Sequence, residues 1–293
     1  MQVVVLGCGY VGIELGRQLT QAGHEVVGVR RSDAGLDAIE AAGFEAVRAD
    51  LTDAASLAAV PDADWAVYAA SAGGRDVDAA RTAYVDGLRT VVETLGDRPS
   101  PPDRLVYTSS TGVYGDHGGD WVDESTTPDP ATDRQRVLLE AERIALEGTA
   151  DRGIDGTVVR FGGLYGPDRY RLDRYLDGPV TAGYLNSIHR DDAAGVVAHV
   201  LTADVARGEV ILAVDDDPVW KPEFADWLAE QCDVSPPEKR TVEERAAAEG
   251  SVSRRVRASK RCANDRLHEL GYELRYPTVR EGFRPAIEAF RAD

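Results

Sequence analysis

The first two-thirds of the chain alternates short apolar runs with stretches in which apolar residues recur every three or four positions. Apolar runs bounded by turn residues predict buried strands, and the three-to-four spacing predicts helices that cover them. The predicted strands are Val3–Leu6, Glu25–Val29, Glu45–Arg48, Trp65–Ala69, Arg104–Thr108 and Thr157–Phe161. The predicted helices are Val11–Ala22, Ala34–Ala42, a short turn-and-helix at Thr52–Ala59, Val77–Leu95 and Arg134–Leu146. Repeated strand–helix units with buried strands predict an α/β fold, a doubly wound parallel sheet of the Rossmann type.

The pattern loosens after Phe161, where the chain reads "GGLYGPDRYRLDRYLDGPVTAG". Further on, "HRDDAAGVVAHVLTA" predicts a helix, "EVILAVDDDP" a strand, and "KPEFADWLAEQC" another helix with proline in its first turn. We expect a first domain over residues 1–161 and a smaller, irregular C-terminal lobe over residues 162–293. The two are intertwined, with some later strands and helices returning to the first sheet.

Three glycines follow the first strand and precede the first helix in the pattern G-x-G-x-x-G, namely Gly7, Gly9 and Gly12. The first permits a tight turn, the second lets a pyrophosphate approach the backbone, and the third lets the helix pack close to the sheet. The helix N-terminus adds free N–H groups and the positive end of a dipole. We therefore predict a dinucleotide site that also involves Tyr10 and Val11; the alternative is a tight turn without a ligand.

The end of the second strand predicts which dinucleotide binds. An NAD site usually carries Asp or Glu there, whereas this chain reads "VVGVRRS", with Arg30, Arg31 and Ser32 in that place. A carboxylate would repel a 2′-phosphate, and an arginine fork binds one with two hydrogen bonds. The sequence thus favours NADP(H) over NAD(H), the alternative being a pair of solvated surface arginines.

A further cofactor contact is predicted in "RADLTD", after the third strand. Asp50, followed by Leu51, could accept a hydrogen bond from the adenine amino group. The alternative is an aspartate that caps a helix or stabilises a turn.

The charge balance is strongly acidic, with 33 Lys and Arg against 51 Asp and Glu and a formal net charge of -18. Only three of the basic residues are lysines, and the acidic residues are spread along the whole chain. This composition suggests a halophilic protein from a cytoplasm of molar salt, where salt screens self-repulsion; an ordinary acidic enzyme is the alternative. Because no basic patch is concentrated enough to neutralise phosphates, a nucleic-acid partner is not expected.

The remaining composition bears on location and metals. The chain has no run of about 18 apolar residues, so no membrane span is expected. It begins directly with a strand pattern and shows no signal peptide, which favours a cytoplasmic location. Cys8, Cys232 and Cys262 are odd in number and widely spaced, which argues against a disulfide framework or a zinc site.

Several segments together resemble the extended short-chain dehydrogenase/reductases, the NAD-dependent epimerase/dehydratase family. These are "LGCGYVGIELG", "RADLTD", "YVDGLRTVVETL", "VYTSSTGVYGD", "VRFGGLYGP" and "NSIHRDDAAGVV". They occur in the family's order over nearly the whole chain, and "SSTGVYG" and "LYGP" are the most specific. The chain is most similar to the atypical members known as nucleoside-diphosphate-sugar epimerases.

The resemblance implies a catalytic hydroxyl at the end of the fifth strand. A Ser or Thr at the end of the fifth strand polarises the substrate oxygen in that family, and the matching residue is Ser110, four positions before Tyr114. A hydroxyl at the carboxyl edge of a parallel sheet lies in the crevice where ligands bind. The alternative for this position is a hydroxyl cluster that satisfies strand-end backbone groups.

The chain departs from the family at its acid/base pair, Tyr-x-x-x-Lys. The segment "PATDRQRVLLEAER" contains neither residue type, and Arg134 and Leu138 stand at the two positions. Three explanations remain open. Tyr114 could replace the tyrosine with Arg134 or Arg136 as its cation, an acid of the lobe such as Asp191 or Glu124 could transfer the proton, or the protein could bind without turnover.

The leading hypothesis is an NADP(H)-dependent oxidoreductase or epimerase that acts on a polar small molecule, with a nucleotide-linked sugar as one candidate. Its rival is a non-catalytic NADP(H)-binding sensor or scaffold. The protein is expected to be a monomer or a homodimer, because related proteins pair through the two helices that match Val77–Leu95 and Arg134–Leu146.

Overall fold

The structure is a computed structural model that describes residues 1–73, 76–250 and 257–292. The chain forms two compact units, each assembled from three separate stretches. The first unit comprises Met1–Ser110, Thr132–Arg160 and Ala193–Ile211, and the second comprises Thr111–Ala131, Phe161–Asp192 and Leu212–Asp293. The two units are defined by their internal contacts and not by function. The predicted boundary between a cofactor domain and a substrate lobe after residue 161 therefore stays a prediction.

The helices and strands of the described residues follow the alternation that the sequence predicts. The strands are β1 Gln2–Leu6, β2 Glu25–Arg30, β3 Glu45–Arg48, β4 Trp65–Tyr68, β5 Arg104–Ser110, β6 Trp121–Val122, β7 Asp155–Phe161, β8 Gly163–Tyr165, β9 Val180–Thr181, β10 Tyr184–Leu185, β11 Ser187–His189, β12 Val210–Ala213, β13 Val219–Trp220, β14 Lys239–Arg240 and β15 Arg261–Cys262. The α-helices are α1 Tyr10–Gln21, α2 Asp33–Ala41, α3 Val77–Arg81, α4 Gly87–Gly96, α5 Asp133–Arg143, α6 Asp173–Leu176, α7 Arg190–Thr202, α8 Lys221–Gln231, α9 Val242–Glu249, α10 Asp265–Glu269, α11 Val279–Gly282 and α12 Arg284–Ala292.

A parallel sheet of seven strands organises the chain, in the order β12-β7-β5-β4-β1-β2-β3. Its central strands are buried on both faces; Val3–Leu6 and Trp65–Tyr68 contain no exposed residue. Strands of this kind read as continuous apolar runs because helices cover both faces. The predicted fold class, a doubly wound parallel sheet, is confirmed.

The strand order places a topological switch between β1 and β4. The chain moves outward from β1 through β2 to β3, then returns to the other side of β1 and continues through β4 and β5. Val3–Leu6 pairs with Val26–Val29 on one side and with Trp65–Tyr68 on the other. Dinucleotides bind at such a switch, outside the carboxyl ends of the strands.

The helix predicted over Val77–Leu95 is interrupted in the structure. A π-helical turn, Thr82–Asp86, joins α3 to α4, so the three helical segments follow one another without a break. The residue inserted by a π turn rotates the side chains that follow it, and such turns are frequent at functional sites. A second π turn, Ile144–Gly148, extends α5 in the same way.

The second unit has an aromatic core of its own. Tyr165, Phe224 and Phe283 pack together, with the rings of Phe283 and Tyr165 stacked at 5.3 Å. Asp192, which is fully buried, accepts hydrogen bonds from the backbone N–H groups of Arg275 (2.7 Å) and Tyr276 (2.9 Å). This carboxylate therefore fixes the start of α7 to the C-terminal segment of the same unit.

Candidate functional site

The first glycine of the motif forms the turn that leaves β1. Gly7 has φ +79°, and a Cβ at this position would lie 2.4 Å from the Cα of Ala70, in the segment that follows β4. Only glycine is compatible with both the left-handed backbone and this close approach. The N–H groups of Gly7 and Cys8 both donate to the carbonyl of Val29 at 3.1 Å, which ties the turn to the end of β2.

The second glycine leaves room beside the start of α1. Gly9 is the N-cap residue; no side chain caps it, and no acidic residue lies in the first helical turn. A Cβ on Gly9 would lie 3.0 Å from Nη1 of Arg30 and 3.6 Å from the carbonyl oxygen of Gly7. The bare backbone, the helix N-terminus and the guanidinium together fit a diphosphate.

The third glycine brings α1 close to the sheet. A Cβ on Gly12 would lie 3.0 Å from Cγ1 of Val5 and 3.4 Å from the Cys8 sulfur. Tyr10 and Val11 form the first turn of the helix between the last two glycines, with Val11 buried. The structure thus places all five motif residues at one turn at the carboxyl end of β1.

The predicted arginines lie at the neighbouring strand end. Arg30 ends β2, and Ser32 is the N-cap of α2 with no hydrogen bond from its side chain to the helix backbone. The side chain of Arg31 is 78% exposed and lies 3.8 Å from the carboxylate of Asp50. Two guanidinium groups, a hydroxyl and a helix N-terminus are therefore available for a phosphate next to the glycine turn.

A third arginine at this place was missed by the sequence argument. Arg48 ends β3 and is the register partner of Arg30 across β2 and β3. Its Nη1 donates to the carbonyl of Arg31 at 2.7 Å, and its Nη2 pairs with Asp33. The signal was available, because Arg48 closes the third strand in "VRAD" just as Arg30 closes the second in "GVRR".

Asp50 has a structural role in the turn after β3. Its Oδ1 accepts hydrogen bonds from the backbone N–H of Thr52 (3.0 Å) and from the Thr52 hydroxyl (2.8 Å). These bonds, helped by nearby Arg31, hold the pKa of the Asp50 carboxyl below its usual value. Leu51 packs against the core of the first unit. Contacts of Asp50 and Leu51 with adenine stay a prediction.

The end of β5 carries the predicted hydroxyl cluster, and its members have different partners. Ser109 donates to Oε1 of Glu142 at 2.6 Å, and Glu142 is bound in turn by Nε (3.0 Å) and Nη2 (2.7 Å) of Arg160. This network is buried and structural. Ser110, the last residue of β5, is half-buried, and its proposed contact with a substrate stays a prediction.

Tyr114 lies in the second unit, at the end of a short 3₁₀ turn, Thr111–Tyr114. It is fully buried, and its hydroxyl donates to the carbonyl of Asp123 at 2.7 Å. A catalytic Tyr114 would have to exchange this bond for one with a substrate, so its role stays a prediction.

Helix α5 contains no substitute for the missing pair, but one of its residues reaches a tyrosine elsewhere. Leu138 is half-buried, and Arg136 pairs with Asp133 on its own helix. Arg134 instead donates from Nη2 to the hydroxyl oxygen of Tyr84 at 3.2 Å. Sequence reasoning missed Tyr84, because it stands on a different helix, 50 residues away.

The acids considered in the second unit are held by local bonds. Glu124 accepts from the backbone N–H of Leu212 at 2.7 Å, and burial raises its pKa. Asp191 pairs with the neighbouring Arg190 at 2.9 Å. Proton transfer by either carboxyl stays a prediction. Among the described residues, no three His, Cys, Asp or Glu side chains are gathered in a way that could hold a metal ion.

A sequence model of a family described as NAD(P)H-binding matches residues 7–204. Protein YeeZ of Escherichia coli K12 is 27% identical over 287 residues, which cover 94% of this chain and 96% of YeeZ. The 2′-dehydrokanamycin reductase of Streptomyces kanamyceticus is 27% identical over 241 residues, 75% of this chain and 63% of the reductase.

A solved structure agrees with these sequence matches. A candidate NAD-dependent epimerase/dehydratase from Methylobacillus flagellatus is 28% identical and superposes with a TM-score of 0.77. The superposition covers 100% of this chain and 99% of the other. The family match begins at Gly7 and so includes the three glycines of the turn.

Proposed function

Because the chain belongs to the NAD(P)H-binding family, we propose that it is an enzyme that uses NADP(H) to oxidise, reduce or epimerise a polar small molecule. The resemblance to the NAD-dependent epimerase/dehydratases is confirmed by the family match and by the Methylobacillus flagellatus structure. The preference for NADP(H), the substrate and the catalytic residues are proposals.

The observation that carries the cofactor proposal is the set of arginines at the ends of β2 and β3. Arg30 and Arg31 occupy the place where an NAD site carries a carboxylate, and Arg48 is the register partner of Arg30 at the end of β3. Arg30 and Arg31, with the Ser32 hydroxyl, would hold the 2′-phosphate, and the backbone at Gly9 would hold the pyrophosphate. Bound nicotinamide supplies the hydride chemistry.

For the substrate, we propose a polar compound whose carbonyl or hydroxyl reaches Ser110. A serine hydroxyl at the end of β5 can hydrogen-bond that oxygen and orient it. A nucleotide-linked sugar is the candidate that the resemblance favours. The reductase from Streptomyces kanamyceticus, which is named for 2′-dehydrokanamycin, supports a carbonyl compound as the wider class.

The test combines binding and turnover in concentrated KCl. Titration calorimetry should detect tight NADPH binding and weaker NADH binding. NADPH-loaded protein should then oxidise its cofactor in the presence of one or more keto sugars or sugar nucleotides. Absence of heat with both dinucleotides would refute the proposal.

A non-catalytic role is the second candidate, and the missing Tyr-x-x-x-Lys pair is the observation in its favour. In that case the protein would bind NADPH as a sensor or scaffold. Tight NADPH binding without cofactor oxidation across a broad panel of carbonyl compounds would support it.

A further inference from the structure

The hydroxyl oxygen of Tyr84 accepts two hydrogen bonds, one from a side chain and one from the backbone, and both donors belong to the first unit. Arg134 donates from Nη2 at 3.2 Å, and the backbone N–H of Ala72 donates at 3.3 Å. The Arg134 guanidinium also lies over the tyrosine ring, 5.5 Å from its centroid. With both bonds directed at its oxygen, the phenol can offer its proton to a third group.

Tyr84 contacts the segment that follows β4, next to the switch point of the sheet. Ala72 belongs to the segment that follows β4, and Ala70 of the same segment lies against Gly7. β1 and β4 flank the switch point, so this segment borders the crevice expected to bind the dinucleotide. Tyr84 is half-buried, and it stands in the π turn Thr82–Asp86.

The partner of Tyr84 is held in position by several contacts. Nη1 of Arg134 donates to the carbonyl of Asp76 at 3.3 Å. α5 begins with a capping box at Thr132, two residues earlier, in which the Thr132 and Gln135 side chains satisfy each other's backbone N–H groups. Glu140, further along α5, pairs with Arg81 of α3 at 2.9 Å. The arginine is therefore anchored on a helix that is itself fixed to α3.

Tyr84 and Arg134 together provide a phenol hydroxyl and a nearby cation, which are the two groups that the missing Tyr-x-x-x-Lys pair would provide. A phenol that loses its proton needs donors directed at its oxygen, and here a guanidinium and an amide already point there. Arg134 stands where the resemblance expects the tyrosine, so the hydroxyl comes instead from the neighbouring helix. Tyr114, in contrast, already donates its proton to the Asp123 carbonyl.

We infer that Tyr84 is the proton donor of the reaction and that Arg134 is its positioning residue. This inference rests on the proposed function. In a reduction, the carbonyl carbon receives a hydride from bound NADPH, and the carbonyl oxygen receives the Tyr84 proton as the phenol O–H bond breaks. The products are an alcohol and NADP⁺, and water returns a proton to Tyr84.

The experiment compares Tyr84→Phe, Arg134→Leu and Arg134→Lys with wild type in concentrated KCl, using phenanthrenequinone as the carbonyl probe. Tyr84→Phe should lower kcat roughly 10²- to 10⁴-fold, the usual range for loss of a general acid. NADPH affinity, followed by cofactor fluorescence, should change less than about threefold. Amide exchange at Ala72 should accelerate because its acceptor is removed.

The arginine variants separate positioning from folding. Arg134→Leu should lower kcat with little change in KM, and Arg134→Lys should restore part of kcat because an ammonium can still donate to the phenol oxygen. Arg143→Leu is the matched control, since Arg143 is an exposed arginine in the last turn of the same helix, and it should leave kcat and Ala72 exchange as in wild type.

The outcomes distinguish this inference from the proposed function. Wild-type protein that binds no NADPH refutes the proposed function. Wild-type protein that binds NADPH but reduces no probe overturns the inference. Retained kcat in Tyr84→Phe, with loss in Tyr114→Phe, also overturns it and assigns the proton to Tyr114.

Discussion

Arg30 lies directly beside Gly9, with its Nη1 only 3.0 Å from the position that a Cβ on that glycine would occupy. The residue that ends β2 thus reaches back over the turn between β1 and α1. One surface combines bare backbone, a helix N-terminus and a guanidinium, which is the combination that a phosphorylated dinucleotide requires. The two glycines of this turn have different physical roles, and substitution separates them.

Gly9→Ala should weaken binding of NADPH and NADH alike, by roughly tenfold or more, because the methyl group fills the space proposed for the pyrophosphate. Its thermal unfolding should change little, since the nearest atom is the end of a flexible arginine side chain. Calorimetric titration and a melting curve measure the two effects.

Gly7→Ala provides the contrast. Its backbone is left-handed and its Cβ would clash with the backbone of Ala70, so we expect a loss of stability of at least about 1–3 kcal/mol. Urea unfolding measures this loss. Equal stability of the two variants would contradict the assignment of the turn to Gly7 and of the ligand space to Gly9.

Replacing Arg30 and Arg31 together with alanine should weaken NADPH binding far more than NADH binding. Loss of hydrogen bonds to a charged phosphate should cost NADPH about 1.5–3 kcal/mol, roughly a 10- to 150-fold change in Kd. The double variant Arg266→Ala/Arg280→Ala, which removes the same charge from second-unit residues paired with Glu269 and Asp217, is the control. Equal losses for the two dinucleotides would mean that these arginines do not read the 2′-phosphate.

Much of the fold could be predicted because its signals are local in sequence. The strand Val3–Leu6 is an uninterrupted apolar run, and the glycines that follow it are constrained by turn geometry within six residues. The parallel sheet followed from the repetition of such units. Arg30 and Arg31 could be assigned to a cofactor for the same reason, since the end of β2 lies next to the glycine turn in every fold of this class.

The contacts that complete the site depend on tertiary structure and have no local signal. Arg134 and Tyr84 are 50 residues apart and meet because a π turn in one helix faces the start of another. Nothing in the residues from 77 to 95 indicates that turn, because their spacing also fits a regular helix. Glu142 likewise finds Arg160 only when α5 covers β7.

Removal of either partner alone from the buried pair Glu142–Arg160 should strongly destabilise the fold. Both side chains are only 6% exposed, and Ser109 adds a third bond to the carboxylate. Arg160→Met should lower the free energy of unfolding by about 3–5 kcal/mol, because an uncompensated charge stays buried. Urea unfolding is the measurement.

The double variant Glu142→Met/Arg160→Met tests the cause of that loss. Replacing both charges by apolar groups removes the unpaired carboxylate, so much of the lost stability should return. A double variant less stable than Arg160→Met would show instead that the pair stabilises the fold beyond the penalty of an isolated charge.

His189 should make the second unit sensitive to mild acid. Its ring is 1% exposed, and Nδ1 accepts a hydrogen bond from the backbone N–H of Asp191 at 3.2 Å. Burial, opposed by Asp191, lowers the pKa of the imidazole from 6.5 to about 4. The groups that face it are Asp191, Arg190, Arg275, Tyr165, Tyr170 and Tyr276.

The sign of the effect follows from where the proton binds. Between pH 6.5 and about 4 the unfolded chain protonates His189 and the folded chain does not, so acidification favours unfolding. The stability that the neutral ring contributes is complete above pH 6.5 and is lost as the pH falls towards 4. One proton limits the slope to about 1.4 kcal/mol per pH unit. His189→Gln should reduce the dependence of urea stability on pH in this window. An unchanged slope in His189→Gln would mean that other carboxylates or histidines cause the acid sensitivity.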